Sequence, residues 1–100
     1  MEDDHHICEI DLFEAIASLE DAKDAKNFFT DLCTPAEIKA FIERWRVCQL
    51  LSEKKYSYRQ ISEMTHASLT TIGRVARFLN EENYGGYRKM LEKISLSQDE

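Results

Sequence analysis

Between residues 57 and 79 the chain reads SYRQISEMTHASLTTIGRVARFL, and its apolar positions fall twice into a helical period around a three-residue interruption. Ser57 with Gln60 forms the S-x-x-Q signature of a capping box, so the spacing predicts a helix from about Tyr58. Ile61, Met64 and Thr65 give it a narrow buried stripe, with Arg59, Gln60 and Glu63 on the wet side. His66-Ala67-Ser68 breaks the pattern. A turn between steeply angled helices usually needs one residue with positive φ, and His is enriched there among non-glycine residues. Ser68 then caps a second helix whose apolar face is Leu69, Ile72, Val75, Ala76 and Leu79. Thr70, Thr71, Gly73, Arg74 and Arg77 are left for solvent or a ligand.

The same period organises the rest. Ile10, Phe13, Ile16, Ala17 and Leu19 approximate one helical stripe, and Ala22, Ala25, Phe28, Phe29 and Leu32 continue it past Glu20-Asp21, as two helices or one long bent one. Thr34-Pro35-Ala36-Glu37 is the clearest helix start, with a Thr cap, Pro at the first helical position and Glu at the third. A long helix to about Ser52 follows, with a stripe of Ile38, Phe41, Ile42, Trp45, Cys48 or Gln49, and Leu51. Val47 and Leu50 lie on other faces, so this helix is expected to be buried from more than one side, in a chain short enough for that to require a second subunit. Residues 80–86 read as a loop, and a last helix, about Tyr87 to Ile94, offers Met90, Leu91 and Ile94 for packing. Residues 1–8 are expected to be disordered, 9–94 to form one helical domain, and 95–100 to be a frayed tail.

One proline, three glycines and 43% apolar residues in 100 fit a mostly helical globular chain. No apolar run approaches the roughly 20 residues of a membrane span, and MEDDHH is unlike a signal peptide. Cys8, Cys33 and Cys48 lack CxxC spacing, which favours a reducing, cytoplasmic compartment and buried thiols. His5, His6 and Cys8 lack a second ligand pair, so no metal site is expected. The net charge of −6 is unevenly spread. Residues 2–31 carry ten acids and two lysines, a local −8, whereas residues 44–77 carry seven bases and two acids, a local +5. That separation gives one positive face on an acidic body, able to steer a polyanion to one side.

By periodicity alone, residues 57–79 equally suit two core helices of any small bundle. Side-chain chemistry favours another use. A merely solvated helix face should be rich in Glu and Lys. This one carries Ser, Thr, Gly and Arg, short groups that reach base edges and phosphates at close approach, and a mid-helix Gly73 that costs about 1 kcal/mol against Ala. A helix-turn-helix presenting its second helix to a DNA major groove explains those choices.

The segments L-C-T-P-A-E at 32–37, E-R-W-R-V at 43–47, and Y-S-Y-R-Q-I through T-T-I-G-R at 56–74 resemble the bacterial Trp repressor family, nearest its Trp-repressor-related branch, over about residues 28–94. The resemblance implies an all-α fold of about six helices, an intertwined homodimer built by the N-terminal and long helices, and two recognition helices entering successive major grooves of double-stranded DNA. By position, Tyr58, Arg59, Ser62, Leu69, Thr70 and Gly73 match the family's DNA-facing residues, and Ser68 at the helix start is counted with them. Thr34, Arg44 and Arg74 match residues of its tryptophan pocket. There the chain departs from the pattern: Val75 and Phe78 stand where small residues admit the ligand, and Asp31 and Cys33 replace apolar wall residues. Overpacking of about one added ring costs roughly 1 to 3 kcal/mol. L-Tryptophan is therefore not expected as co-repressor. Either Phe78 fills the pocket, or a smaller anion sits between Arg44 and Arg74; pairing of those arginines with Glu37, Glu43 or Asp31 is the alternative.

The resulting expectation is a dimeric, sequence-specific DNA-binding transcriptional regulator, a repressor, without cofactor and not tryptophan-responsive. The alternative is an interaction module that keeps the fold without binding DNA, with Tyr56, Tyr58, Tyr84 and Tyr87 as an adhesive surface. Catalysis is not expected, because His66 is the only His beyond the start and no nucleophile, phosphate-loop or metal pattern accompanies it.

Overall fold

The computed structural model describes residues 9–98, which form six helices and no strand. These are α1 (Glu9–Ala17), α2 (Ala22–Leu32), α3 (Pro35–Ser52), α4 (Tyr58–Thr65), α5 (Leu69–Asn80) and α6 (Gly86–Gln98). The expected disorder of residues 1–8 lies outside the described residues. The last helix begins one residue earlier than its apolar pattern indicates and continues through Gln98, four residues beyond the Ile94 at which that pattern ends. Periodicity locates a helix where it has something to bury, and polar end turns carry no such mark.

The residues group into two compact units divided between Ile38 and Lys39. In the first, the choice between two helices and one bent helix is settled as two. The Ser18 hydroxyl donates to the Ala15 carbonyl at 2.7 Å as α1 ends. Asp21 caps α2, its carboxylate accepting the Asp24 N–H at 2.8 Å. Neither α1 nor α2 contains a buried residue, and Phe13 is 60% exposed. At the start of α3 the Thr34 hydroxyl accepts the Glu37 N–H at 3.1 Å while Glu37 Oε1 accepts the Thr34 N–H at 2.8 Å, the reciprocal cap its sequence announces.

The second unit holds the core. Val47, Cys48 and Leu50 of α3, Ile61 of α4, Ala67 of the turn, and Ile72, Val75 and Leu79 of α5 form one buried cluster, with Trp45, Leu51, Tyr56, Tyr87 and Leu91 packed against it. Ile61 and Ile72 are completely buried, each worth about 1.5 to 3 kcal/mol of transfer free energy. Arg88 ties α6 to the end of α5 by donating from Nη1 to the Leu79 carbonyl at 2.8 Å.

Two stripes read from the sequence are corrected here. On α3 the face that reaches this core is Val47, Cys48 and Leu50, whereas Phe41 and Ile42 of the expected stripe are exposed, Ile42 at 63%. On α4 only Ile61 is buried, and Met64 is 43% exposed. A period identifies residues that share a face, but where the following helices return decides which face is covered.

Candidate nucleic-acid interface and arginine pocket

The turn between α4 and α5 is built by local hydrogen bonding. His66 closes α4 in the left-handed region, at φ 66°, and its N–H donates to the Ser62 carbonyl at 2.8 Å, as a C-cap requires. The Ser62 hydroxyl donates to the Ala67 carbonyl at 2.7 Å, and the Thr65 hydroxyl accepts the Ala67 N–H at 3.1 Å while donating to the Ile61 carbonyl at 2.8 Å. With Ala67 buried in the core, the turn is held from both sides. The capping box at Ser57 and Gln60 is complete, at 3.1 and 2.8 Å. Ser68 caps α5 by accepting the Thr71 N–H at 3.1 Å, and its hydroxyl also donates to the Thr71 hydroxyl.

These caps orient the residues expected to meet DNA. Tyr58 and Arg59 on the first turn of α4, and Ser68, Leu69 and Thr70 at the start of α5, are all exposed. Leu69 is 59% exposed, so it leaves the apolar face assigned to it and belongs with the outward set; Ile72, Val75, Ala76 and Leu79 alone form the buried face. Ser62 differs from its companions, because its hydroxyl is half-buried and committed to the turn. Gly73 has ordinary helical geometry, and a Cβ added there would meet no atom within 4 Å. Nothing among the described residues requires glycine at that position.

The two arginines of the expected effector pocket are placed against phenyl rings. The Arg44 guanidinium lies over Phe41, 5.4 Å from its centroid, and that of Arg74 over Phe78 at 4.4 Å. Among the described residues neither pairs with Glu43, the one of the three weighed carboxylates that lies in the same unit. Arg77, also facing Phe78, is neutralised by Glu82 at 2.9 Å. Val75 is buried in the core, and Phe78 stacks on Tyr84 with centroids 6.1 Å apart. Thr34 serves as the α3 cap in the first unit. Its fellow wall positions Asp31 and Cys33 lie in that unit too.

The sequence reading gave Tyr87 only to the last helix and to a tyrosine surface, and did not place it beside the two arginines. Its ring stacks on Trp45 at 6.4 Å, and burial raises its phenol pKa, as does the neighbouring Cys48, against the opposing pull of Arg44 and Arg74. Both arginines thus act electrostatically on one half-buried phenol. The signal available was its place at the start of an amphipathic helix. Tyr56 also packs on the core, so the four tyrosines do not make one adhesive surface. His5, His6 and Cys8 lie outside the described residues, among which no group of three His, Cys, Asp or Glu could hold a metal. No described helix is long and apolar enough to cross a membrane.

A family model described as Trp repressor protein matches residues 10–95. The protein YerC of Bacillus subtilis (strain 168), described as uncharacterized, is 39% identical over 89 residues, covering 89% of this chain and 84% of YerC. A crystal structure of a TrpR-like protein from Eubacterium eligens superposes with a TM-score of 0.79 at 42% identity, covering 86% of this chain and 87% of that one. A candidate Trp repressor from Staphylococcus aureus gives the same TM-score at 35% identity, covering 86% and 84%. With the capped helix-turn-helix, the six-helix order and the match over residues 10–95 in agreement, the chain belongs to the Trp repressor family.

Proposed function

We propose that the protein is a sequence-specific DNA-binding transcriptional regulator, a repressor that covers promoter DNA as a homodimer without responding to tryptophan. The observation that carries this reading is the division of α5: four residues seal the core while Leu69 and Thr70 are exposed beside Tyr58 and Arg59, with Gly73 half-buried and open to an added methyl. An exposed leucine among hydroxyls and an unneeded glycine are costly on a helix that meets only water, and useful on one that meets a thymine methyl and a groove wall. Arg59 is the residue assigned to a base or phosphate. Ser62 acts in this scheme by holding the turn, and Ser68 by holding the start of α5.

A second copy is supported by the apolar side chains left on α1, α2 and α3. Ile10, Leu12, Phe13, Leu32, Phe41 and Ile42 are exposed, more than a lone 100-residue chain usually leaves in water. The location of the protein is the cytoplasm in this reading. Against tryptophan stands the placement of Phe78, whose ring already covers the Arg74 guanidinium that the resemblance assigns to the indole.

The test is fluorescence anisotropy on fragments selected from a random DNA pool, at about 50 and 200 mM salt, where neutralised phosphates give a slope near −0.9 per contact. Two half-sites about one helical turn apart are expected. A pool without recoverable half-sites, or no salt-sensitive binding, favours the interaction module. Micromolar calorimetric binding of L-tryptophan would refute the ligand part alone.

A further inference from the structure

Two helical turns after Thr70, Arg77 returns to the outward side of α5, because positions i, i+3 and i+7 of a helix share one face. Thr70 and Arg77 are exposed, and Gly73 between them is open to an added methyl. A rise of about 1.5 Å per residue puts Arg77 roughly 10 Å further along the axis than Thr70. A recognition helix that reads bases with its first turn, in a groove about 12 Å wide, meets the phosphates of the groove wall at that distance. The Arg77 side chain is 60% exposed, yet its guanidinium is already engaged. Nε donates to Glu82 Oε2 at 2.9 Å, and the Phe78 ring centroid lies 5.2 Å from Cζ. Both partners are C-terminal to Arg77, so its head is held toward the end of α5. The N–H groups of Glu81 and Glu82 donate to the Arg77 carbonyl at 2.8 and 3.1 Å, which sets Glu82 against the residue it pairs with. Carboxylates at the C-terminus of a helix oppose its dipole, where a cation would stabilise it. Helix stability therefore does not account for Glu82.

We infer that Glu82 stands in for a DNA phosphate: it holds Arg77 in the free protein, and the backbone of bound DNA takes its place. Carboxylate and phosphate oxygens accept the same charge-assisted bonds from a guanidinium, so one exchanges for the other without a change of donor. The exchange costs little, because an exposed ion pair contributes little. It leaves the Glu82 charge uncompensated beside the duplex, which lowers affinity for all sequences alike. Arg77 is thus a backbone contact at the far end of the reading face, and Glu82 sets the strength of that contact. Glu81 is the natural comparison, since it carries the same charge one residue away and is not the carboxylate paired with Arg77. This role rests on the DNA-binding reading, which assigns neither Arg77 nor Glu82.

The experiment titrates the full chain against the selected DNA fragment by fluorescence anisotropy, from about 50 to 200 mM salt. Glu82→Gln should tighten binding about two- to fivefold, the worth of an exposed ion pair. Glu81→Gln, the same change of charge, should gain less than half as much. Arg77→Gln should weaken binding several-fold and flatten the salt slope by about 0.9, one phosphate contact. In the Arg77→Gln background Glu82→Gln should gain no more than Glu81→Gln does, because the cation for which it competes is gone. Without DNA, the Arg77 Nε–H resonance should move in Glu82→Gln and stay in place in Glu81→Gln. The inference is overturned if Glu82→Gln binds no more tightly than Glu81→Gln, or if Arg77→Gln leaves the salt slope unchanged. It is also overturned if the gain survives Arg77→Gln, or if the resonance ignores Glu82→Gln. A parent protein without salt-sensitive binding to any fragment refutes the DNA-binding reading, and this role falls with it. A parent that binds while Glu82→Gln gains nothing refutes the role alone.

Discussion

Replacing Gly73 by Ala should stabilise the protein and impair its recognition of DNA. Gly73 lies five residues into the twelve-residue α5, and its backbone is not in the left-handed region. An added methyl meets no atom within 4 Å, so no clash offsets the gain in helix propensity. For a compatible site that gain, together with lower unfolded-state entropy, is about 0.4 to 1 kcal/mol. With an unfolding entropy of about 0.2 kcal/mol per kelvin for about 100 residues, the midpoint should rise by about 2 to 5 °C. If a dimer unfolds in one step the gain and the entropy both double, and the shift is unchanged. Thermal denaturation followed by circular dichroism at 222 nm, at matched protein concentration, measures it. On the selected DNA fragment the same variant should bind about five- to tenfold more weakly, because the methyl takes space that a groove wall needs. A lowered midpoint would refute the packing argument. A raised midpoint with unaltered DNA affinity would remove Gly73 from the interface.

Arg59→Ala should leave the thermal midpoint within about 1 °C, since the side chain is exposed, while reducing DNA affinity at least tenfold; equal affinity in an anisotropy titration would dismiss it as a contact. Ile61→Ala should cost about 2 to 5 kcal/mol in urea unfolding because the side chain is completely buried, and a loss below about 1 kcal/mol would contradict its place in the core. Ser57→Ala removes one half of the complete capping box and should cost about 1 kcal/mol in the same assay. Burial raises the Cys48 thiol from 9.0 to about 11, so the native state keeps a proton that the unfolded chain sheds near 9. Its contribution to stability is therefore whole below about pH 9 and declines as pH rises toward 11. At pH 8 iodoacetamide should modify half-buried Cys33 well before Cys48, and peptide mass mapping that shows equal labelling would contradict this.

Much of this protein is decided by short-range chemistry and is legible from the chain alone. The caps at Asp21, Thr34, Ser57 and Ser68 lie within three residues of the amides they satisfy, and His66 takes its left-handed turn within the same span. The starts of α3, α4 and α5, and the buried face of α5 apart from Leu69, therefore follow from spacing. Three things waited for tertiary structure. Which face of α3 is covered depends on where α4 to α6 return, so Val47 and Leu50 were sealed while Phe41 and Ile42 were not. Leu69 has the chemistry of the α5 stripe but sits about one turn before Ile72, the first residue of that helix to be buried. Tyr84 and Tyr87 reach Phe78 and Trp45 only because the chain turns back after α5, bringing together side chains six positions apart for Tyr84 with Phe78 and forty-two for Tyr87 with Trp45. Hydrogen bonds to near neighbours are written locally in the sequence. The choice of covered face, and the company a side chain keeps across a recess, are properties of the path the whole chain takes, because burial is a sum over neighbours that no short window contains.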